Sequence, residues 1–157
     1  MRLAVVAAGF TPGAGISFDG LTFDWPTAAP GTPDNALASG QSVVLAGSGE
    51  RLGLLGAAAY GTASGVATVT FAGGGTWSFP LTLADWWSDA PAPGTGVIGT
   101  FGYLNTPEGR LDHAVHLYVV SVTLPPGSVT RYLTLPDVIA RVAVGQPSMH
   151  IFAVAIG

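Results

Sequence analysis

The sequence contains no cysteine and no lysine, and its charge is confined to five Arg and nine Asp or Glu. Without cysteine there is no thiol nucleophile, no thiolate zinc site and no disulfide framework, and the redox compartment stays undetermined. Without lysine, and with a net charge of -4, the chain lacks the cationic surface that phosphates require, so neither nucleic acid nor membrane is expected as a partner. No apolar run approaches the roughly 18 residues that cross a bilayer. Helical signal is also scarce, because the Ala-rich stretches at 4–8 and 28–38 meet Gly or Pro before a helical nucleus repays its cost. There is no Gly-x-Ser-x-Gly elbow, no EF-hand spacing, no internal repeat and no dividing linker.

What remains is 23 Gly and 12 Pro set between short apolar runs, in a chain of 157 residues that is 48% hydrophobic. That length and composition fit a single domain over 1–157 with a core of its own. The opening Met1-Arg2 and the apolar run to Phe10 have the look of a signal peptide. They pass into Thr11-Pro12-Gly13 with no clear cleavage site, and the stretch reads as part of the fold.

The sharpest pattern has period two, which buries one face of a strand. Ile16-Ser17-Phe18 and Leu21-Thr22-Phe23-Asp24-Trp25 flank Asp19-Gly20, a two-residue hairpin turn. A second hairpin joins 66–71 to 76–83 through Gly73-Gly74-Gly75, with Ala67, Val69 and Phe71 sharing one face and Trp77, Phe79, Leu81 and Leu83 another. Pro80 removes a ladder donor and so predicts an edge or a bulge. Further strands are expected at 42–46, 52–57, 97–103, 115–124, 129–135 and 150–156, with Val129, Arg131, Leu133 and Leu135 on one side of theirs. The fold class is all-β, an antiparallel sandwich of jelly-roll type.

Chemistry-bearing motifs are few. Gly94-Thr95-Gly96-Val97-Ile98-Gly99 matches the dinucleotide glycine pattern in letters only, since a Pro-rich loop precedes it and a strand follows. His113 and His116, with His150, suggest a metal site, yet a spacing of three on an extended strand sends the first two rings to opposite faces. Glu50 and Glu108 sit beside Gly and Arg in turns and read as solvated loop residues. Asp19, Asp24 and Asp34 are candidate oxygen ligands for a structural calcium ion, although turn chemistry also accounts for them. No other cofactor is expected.

The most informative segment is Leu83-Ala84-Asp85-Trp86-Trp87-Ser88-Asp89, where two Trp leave a strand end between two carboxylates. In an extended chain their indoles diverge, one into the core and one outward as an apolar platform for a sugar ring. A second polar loop at 103–110 carries Tyr103, Asn105 and Arg110, which suit a neutral polyol. The candidate ligand-binding set is therefore Trp86, Trp87, Asp85, Asp89, Tyr103, Asn105 and Arg110. The competing reading packs both Trp beneath the 90–93 loop.

Several segments together resemble a family of accessory domains in secreted actinobacterial hydrolases, commonly glycoside hydrolases. They are Phe10-Thr11-Pro12-Gly13, Phe23-Asp24-Trp25-Pro26, residues 30–35, residues 47–58 (GSGERLGLLGAA), Leu83-Ala84-Asp85-Trp86, residues 105–110 and residues 149–157. The resemblance implies a galactose-binding-like sandwich, similar to carbohydrate-binding modules, attached to a catalytic domain and without catalytic residues of its own. It also implies a strand before Phe10 to Gly13 that this chain lacks, and an exposed sheet edge that a second copy could cover. The expected function is thus a non-catalytic carbohydrate-binding module that targets an attached hydrolase to polysaccharide, secreted as part of a larger protein. Alternatives are a structural module that self-associates as a homo-oligomer or packs on a partner domain, and third a small enzyme on the same scaffold.

Overall fold

The computed structural model describes residues 2–3, 9–29, 32–106, 108–139 and 145–157. Among these residues every regular element is a strand: β1 (Arg2–Leu3), β2 (Gly15–Phe18), β3 (Leu21–Asp24), β4 (Ala36–Leu37), β5 (Ser42–Ser48), β6 (Arg51–Ala59) and β7 (Ala63–Phe71), followed by β8 (Thr76–Leu83), β9 (Thr95–Phe101), β10 (Leu104–Thr106), β11 (Gly109–Leu111), β12 (Val115–Thr123), β13 (Val129–Thr134) and β14 (Ser148–Ile156). The all-β expectation holds.

Two antiparallel sheets form the sandwich, one of five strands in the order β4-β14-β6-β12-β9 and one of four in the order β5-β13-β7-β8. The pairs are nested: β4 lies beside β14, β5 beside β13, β6 beside β12 and β7 beside β8. Leu52, Leu54, Tyr118 and Met149 of the first sheet meet Val69, Phe79, Leu81 and Leu133 of the second in the main core. Pro80 sits on β8, an edge strand, where a missing N–H costs no ladder bond.

The five-stranded sheet is covered on its other face as well. The β2–β3 hairpin reverses at Asp19 (φ 48°) and Gly20 (φ 80°), a pair of positive φ values that matches the right-handed twist of its strands. It lays Leu21 and Phe23 over Leu55, Val119 and Ala155. Phe10 and Trp25 pack there with Phe101, Leu117 and Phe152. Double burial explains why β6 reads as an unbroken apolar run rather than an alternation. It also explains Gly96 and Gly99: a Cβ on Gly99 would stand 2.7 Å from the Phe10 ring and one on Gly96 3.2 Å from Phe18. They make room for aromatic rings, not for a pyrophosphate.

Arg51 fastens this outer hairpin to the sheet. Its guanidinium pairs with the Asp19 carboxylate and donates to the Asp19 carbonyl at 2.8 Å and to Ser121 Oγ at 2.8 Å. The hydrogen bond from Arg51, and then its charge, hold the Asp19 carboxyl below the usual carboxylate range.

Two sequence expectations are corrected. In β13 the register shifts between Thr130 and Tyr132, so Arg131 is an extra residue relative to β7. Thr130 therefore turns inward with Leu133 while Val129 and Arg131 stay exposed. The buried Thr130 hydroxyl is satisfied by the Leu45 carbonyl at 2.6 Å. The second correction concerns 103–110: the strand expected to run to 103 stops at Phe101, and the polar loop contains the antiparallel pair β10–β11, with β1 on its other side.

Candidate functional site

At one end of the sandwich β6 and β12 diverge beyond the Gly56–Tyr118 pair, and the chain leaving β8 fills the gap. Ala58 N–H donates to the Ala84 carbonyl (2.9 Å), Trp86 N–H to the Ala58 carbonyl (2.8 Å) and His116 N–H to the Trp86 carbonyl (2.7 Å). The wedge is Ala84-Asp85-Trp86, and it launches the turn that carries Trp87, Ser88 and Asp89.

That turn is pinned from below. Asp85 accepts from the N–H groups of Gly61 and Trp87, the latter at 2.9 Å. The Tyr118 hydroxyl, on a side chain wholly buried, donates to the carbonyls of Ser88 (2.7 Å) and Asp85 (3.1 Å). Desolvation, with the charges of Asp85 and Asp89 adding to it, pushes the Tyr118 phenol above its ordinary range, so it remains a donor across neutral pH. Asp85, expected as a ligand group, has its carboxylate occupied by the protein's own backbone and acts as a bracket for the turn.

The two indoles diverge as anticipated. Trp86 is half-buried against both inner clusters, whereas Trp87 is 41% exposed. They meet edge-on at 5.9 Å. Sequence reasoning missed what lies behind Trp87: the His113 imidazole stacks on it with centroids 3.7 Å apart and planes 15° from parallel. His113 precedes β12 rather than lying in it, so the spacing of three does not separate it from His116. Both imidazoles flank the same turn.

His116 places Nδ1 3.0 Å from Thr100 Oγ1, and its Nε2 lies 3.7 Å from Asp89 Oδ1, a side chain 95% exposed. The Nε2 atoms of His113 and His116 are both buried without a hydrogen-bond partner among the described residues. Such atoms cost about 1–3 kcal/mol each until something polar reaches them.

Arg110 lies over the Tyr103 ring, 4.0 Å from its centroid, and its Nε donates to Asp112 Oδ1 at 2.6 Å. Asp112 adjoins His113, so this cation, aromatic ring and carboxylate are continuous in chain with the Trp87 stack. Asn105 pairs through its backbone with Arg110, and its side chain lies outside the described residues.

The calcium candidates do not converge. Asp19 is committed to Arg51, while Asp24 and Asp34 line a separate cleft on the β14–β5 side. No group of three or more His, Asp or Glu suited to a metal ion occurs among the described residues. There, His150 bonds Asn35 Oδ1 through Nδ1 at 2.9 Å and Ser148 Oγ through Nε2 at 3.1 Å, away from His113 and His116.

No protein-family model matches the chain, and no curated protein matches it.

Proposed function

We propose that the chain is a non-catalytic carbohydrate-binding module that targets an attached, secreted hydrolase to polysaccharide, built on a jelly-roll, galactose-binding-like sandwich. The observation that carries the reading is Trp87, an indole half exposed on a turn that is fixed before any ligand arrives. Its outer face offers apolar area to a sugar ring, and Asp89 on the same turn, with the Arg110–Asp112 pair that leads in sequence to His113, offers hydrogen bonds to hydroxyls. A net charge of -4 without lysine suits a neutral ligand. Nested pairing within the sandwich, β4 with β14, β5 with β13 and β6 with β12, supports the jelly-roll topology, and the resemblance of 47–58 to accessory domains supports the attachment. The commitment of the Asp85 carboxylate to backbone N–H groups favours holding over turnover.

Affinity electrophoresis in soluble plant, fungal and bacterial polysaccharides tests this. Retardation by at least one of them, weakened roughly tenfold in Trp87→Ala, is expected. Unretarded migration in all of them counts against the reading.

A second reading, an assembly module, is favoured by Val44 and Val66, 77% and 61% exposed on the outer face of the four-stranded sheet. Sedimentation over a concentration series separates the two, since a strict monomer removes it.

A further inference from the structure

We propose that Tyr60 is a second stacking platform beside Trp87, so that the ligand is a stretch of polysaccharide chain at least two sugar residues long rather than a single terminal sugar. The inference rests on the carbohydrate reading above and names the ligand class of that same site.

Three observations lead there. First, the fold brings the two aromatic residues out together. Ala58 of β6 and Asp85 form a parallel bridge, so the two segments run side by side in the same direction. Two residues beyond the bridge stand Tyr60 on one segment and Trp87 on the other. One carboxylate then ties both: Asp85 accepts from the N–H of Gly61, next to Tyr60, and from the N–H of Trp87. The turn after β6 and the turn after β8 are thereby fixed to each other before any ligand arrives.

Second, exposure singles out this pair. Tyr60 is 62% exposed and Trp87 41%, whereas among the described residues every other Phe, Trp and Tyr is buried or half-buried. The aromatic neighbours of Trp87 are Trp86 and His113, not Tyr60, so each of the two rings keeps a face of its own for a sugar.

Third, the fold itself does not call for tyrosine at 60. Its φ is 59°, in the left-handed region, where a bulky side chain is strained and Gly or Asn is tolerated. Asp19, the other non-glycine residue of positive φ among the described residues, closes a two-residue hairpin turn of the kind that accepts Asp. Tyr60 bears its strain without burying its ring, and strain kept without burial points to a use outside the fold. Two aromatic platforms held on one carboxylate suit successive rings of one chain. A lone terminal sugar would cover one platform and leave the other in water.

The test titrates mono-, di- and tetrasaccharides prepared from xylan, chitin, mannan and dextran into the full chain and its Trp87→Ala, Tyr60→Asn and Tyr60→Phe variants, followed by calorimetry. In at least one series the tetrasaccharide is expected to bind roughly tenfold more tightly than the monosaccharide. Tyr60→Asn should bring that ratio close to unity. It should also raise the thermal midpoint by about 2–4 °C, because asparagine relieves the left-handed tyrosine, so weak binding by this variant is not a failure to fold. Tyr60→Phe keeps the ring and should keep most of the length preference.

Any of four results overturns the proposal: equal affinity of the unmodified chain for monosaccharide and tetrasaccharide, an unchanged ratio in Tyr60→Asn, a ratio lost as fully in Tyr60→Phe as in Tyr60→Asn, or a thermal midpoint that falls in Tyr60→Asn, which would mean that the tyrosine serves the fold. If one of these occurs while Trp87→Ala still abolishes binding, the second platform alone falls and the carbohydrate reading stands. If no sugar of any series binds the unmodified chain, both fall.

Discussion

The imidazole of His113 lies flat against the indole of Trp87, 3.7 Å between centroids, which leaves Trp87 one covered face and one open one. A platform backed in this way loses little side-chain entropy when a ligand settles on it. His113→Ala removes the backing without touching the open face. We expect glycan affinity to fall about three- to tenfold, with the thermal midpoint nearly unchanged, as isothermal titration and scanning calorimetry can check. Unaltered affinity would show that the stack is incidental.

Tyr118→Phe deletes the hydroxyl shared by the carbonyls of Asp85 and Ser88. The cost should be about 1–2 kcal/mol of folding stability, read from the urea midpoint. Because the same bonds fix the turn, glycan affinity should drop as well. A loss of stability without a loss of affinity would mean that the turn keeps its shape unaided.

Burial holds the His150 imidazole below its ordinary range. The unfolded chain therefore takes up a proton near pH 6.5 that the folded chain resists. Stability from this residue is full above that pH and declines as pH falls, until the folded form is protonated too. Urea unfolding at about pH 7.5 and about pH 5.5 should show that decline, and His150→Asn should make it shallower. A steeper decline in the variant contradicts the assignment.

A Cβ on Gly56 would stand 2.5 Å from the His150 carbonyl oxygen and 2.7 Å from Leu83 Cδ1, whereas one on Gly73 meets nothing within 4 Å. Gly56→Ala should cost about 3 kcal/mol or prevent folding, because backbone cannot yield as a side chain does. Gly73→Ala should stay within about 0.5 kcal/mol. Soluble expression and thermal midpoints of the pair decide the point.

The parts of the fold legible in sequence are those whose signals are local. Asp19-Gly20 and Gly73-Gly74-Gly75 mark reversals by the backbone angles they tolerate, and the flanking alternation assigns each face, so both hairpins could be read directly. Pro80 announced its edge for an equally local reason. What escaped reading depends on partners distant in sequence. The extra residue at Arg131 is defined only against β7, and no composition marks it, so plain alternation puts Thr130 on the face opposite Leu133. Phe152 is likewise passed over in the register between Ile151 and Ala153, which brings it onto Trp25. At the site, the diverging roles of Trp86 and Trp87 followed from strand geometry. The meeting of His113 with Trp87 did not, because it joins the turn after β8 to the residue pair before β12, which no local pattern links.

The nesting of strand pairs also determines how the chain can be divided. Severed between the exposed Pro93 and Gly94, the molecule would fall into one piece holding β1 to β8 and another holding β9 to β14, and each sheet of the sandwich draws strands from both. Neither fragment could assemble a layer alone. Refolding would become a bimolecular event, governed by how often the two halves meet.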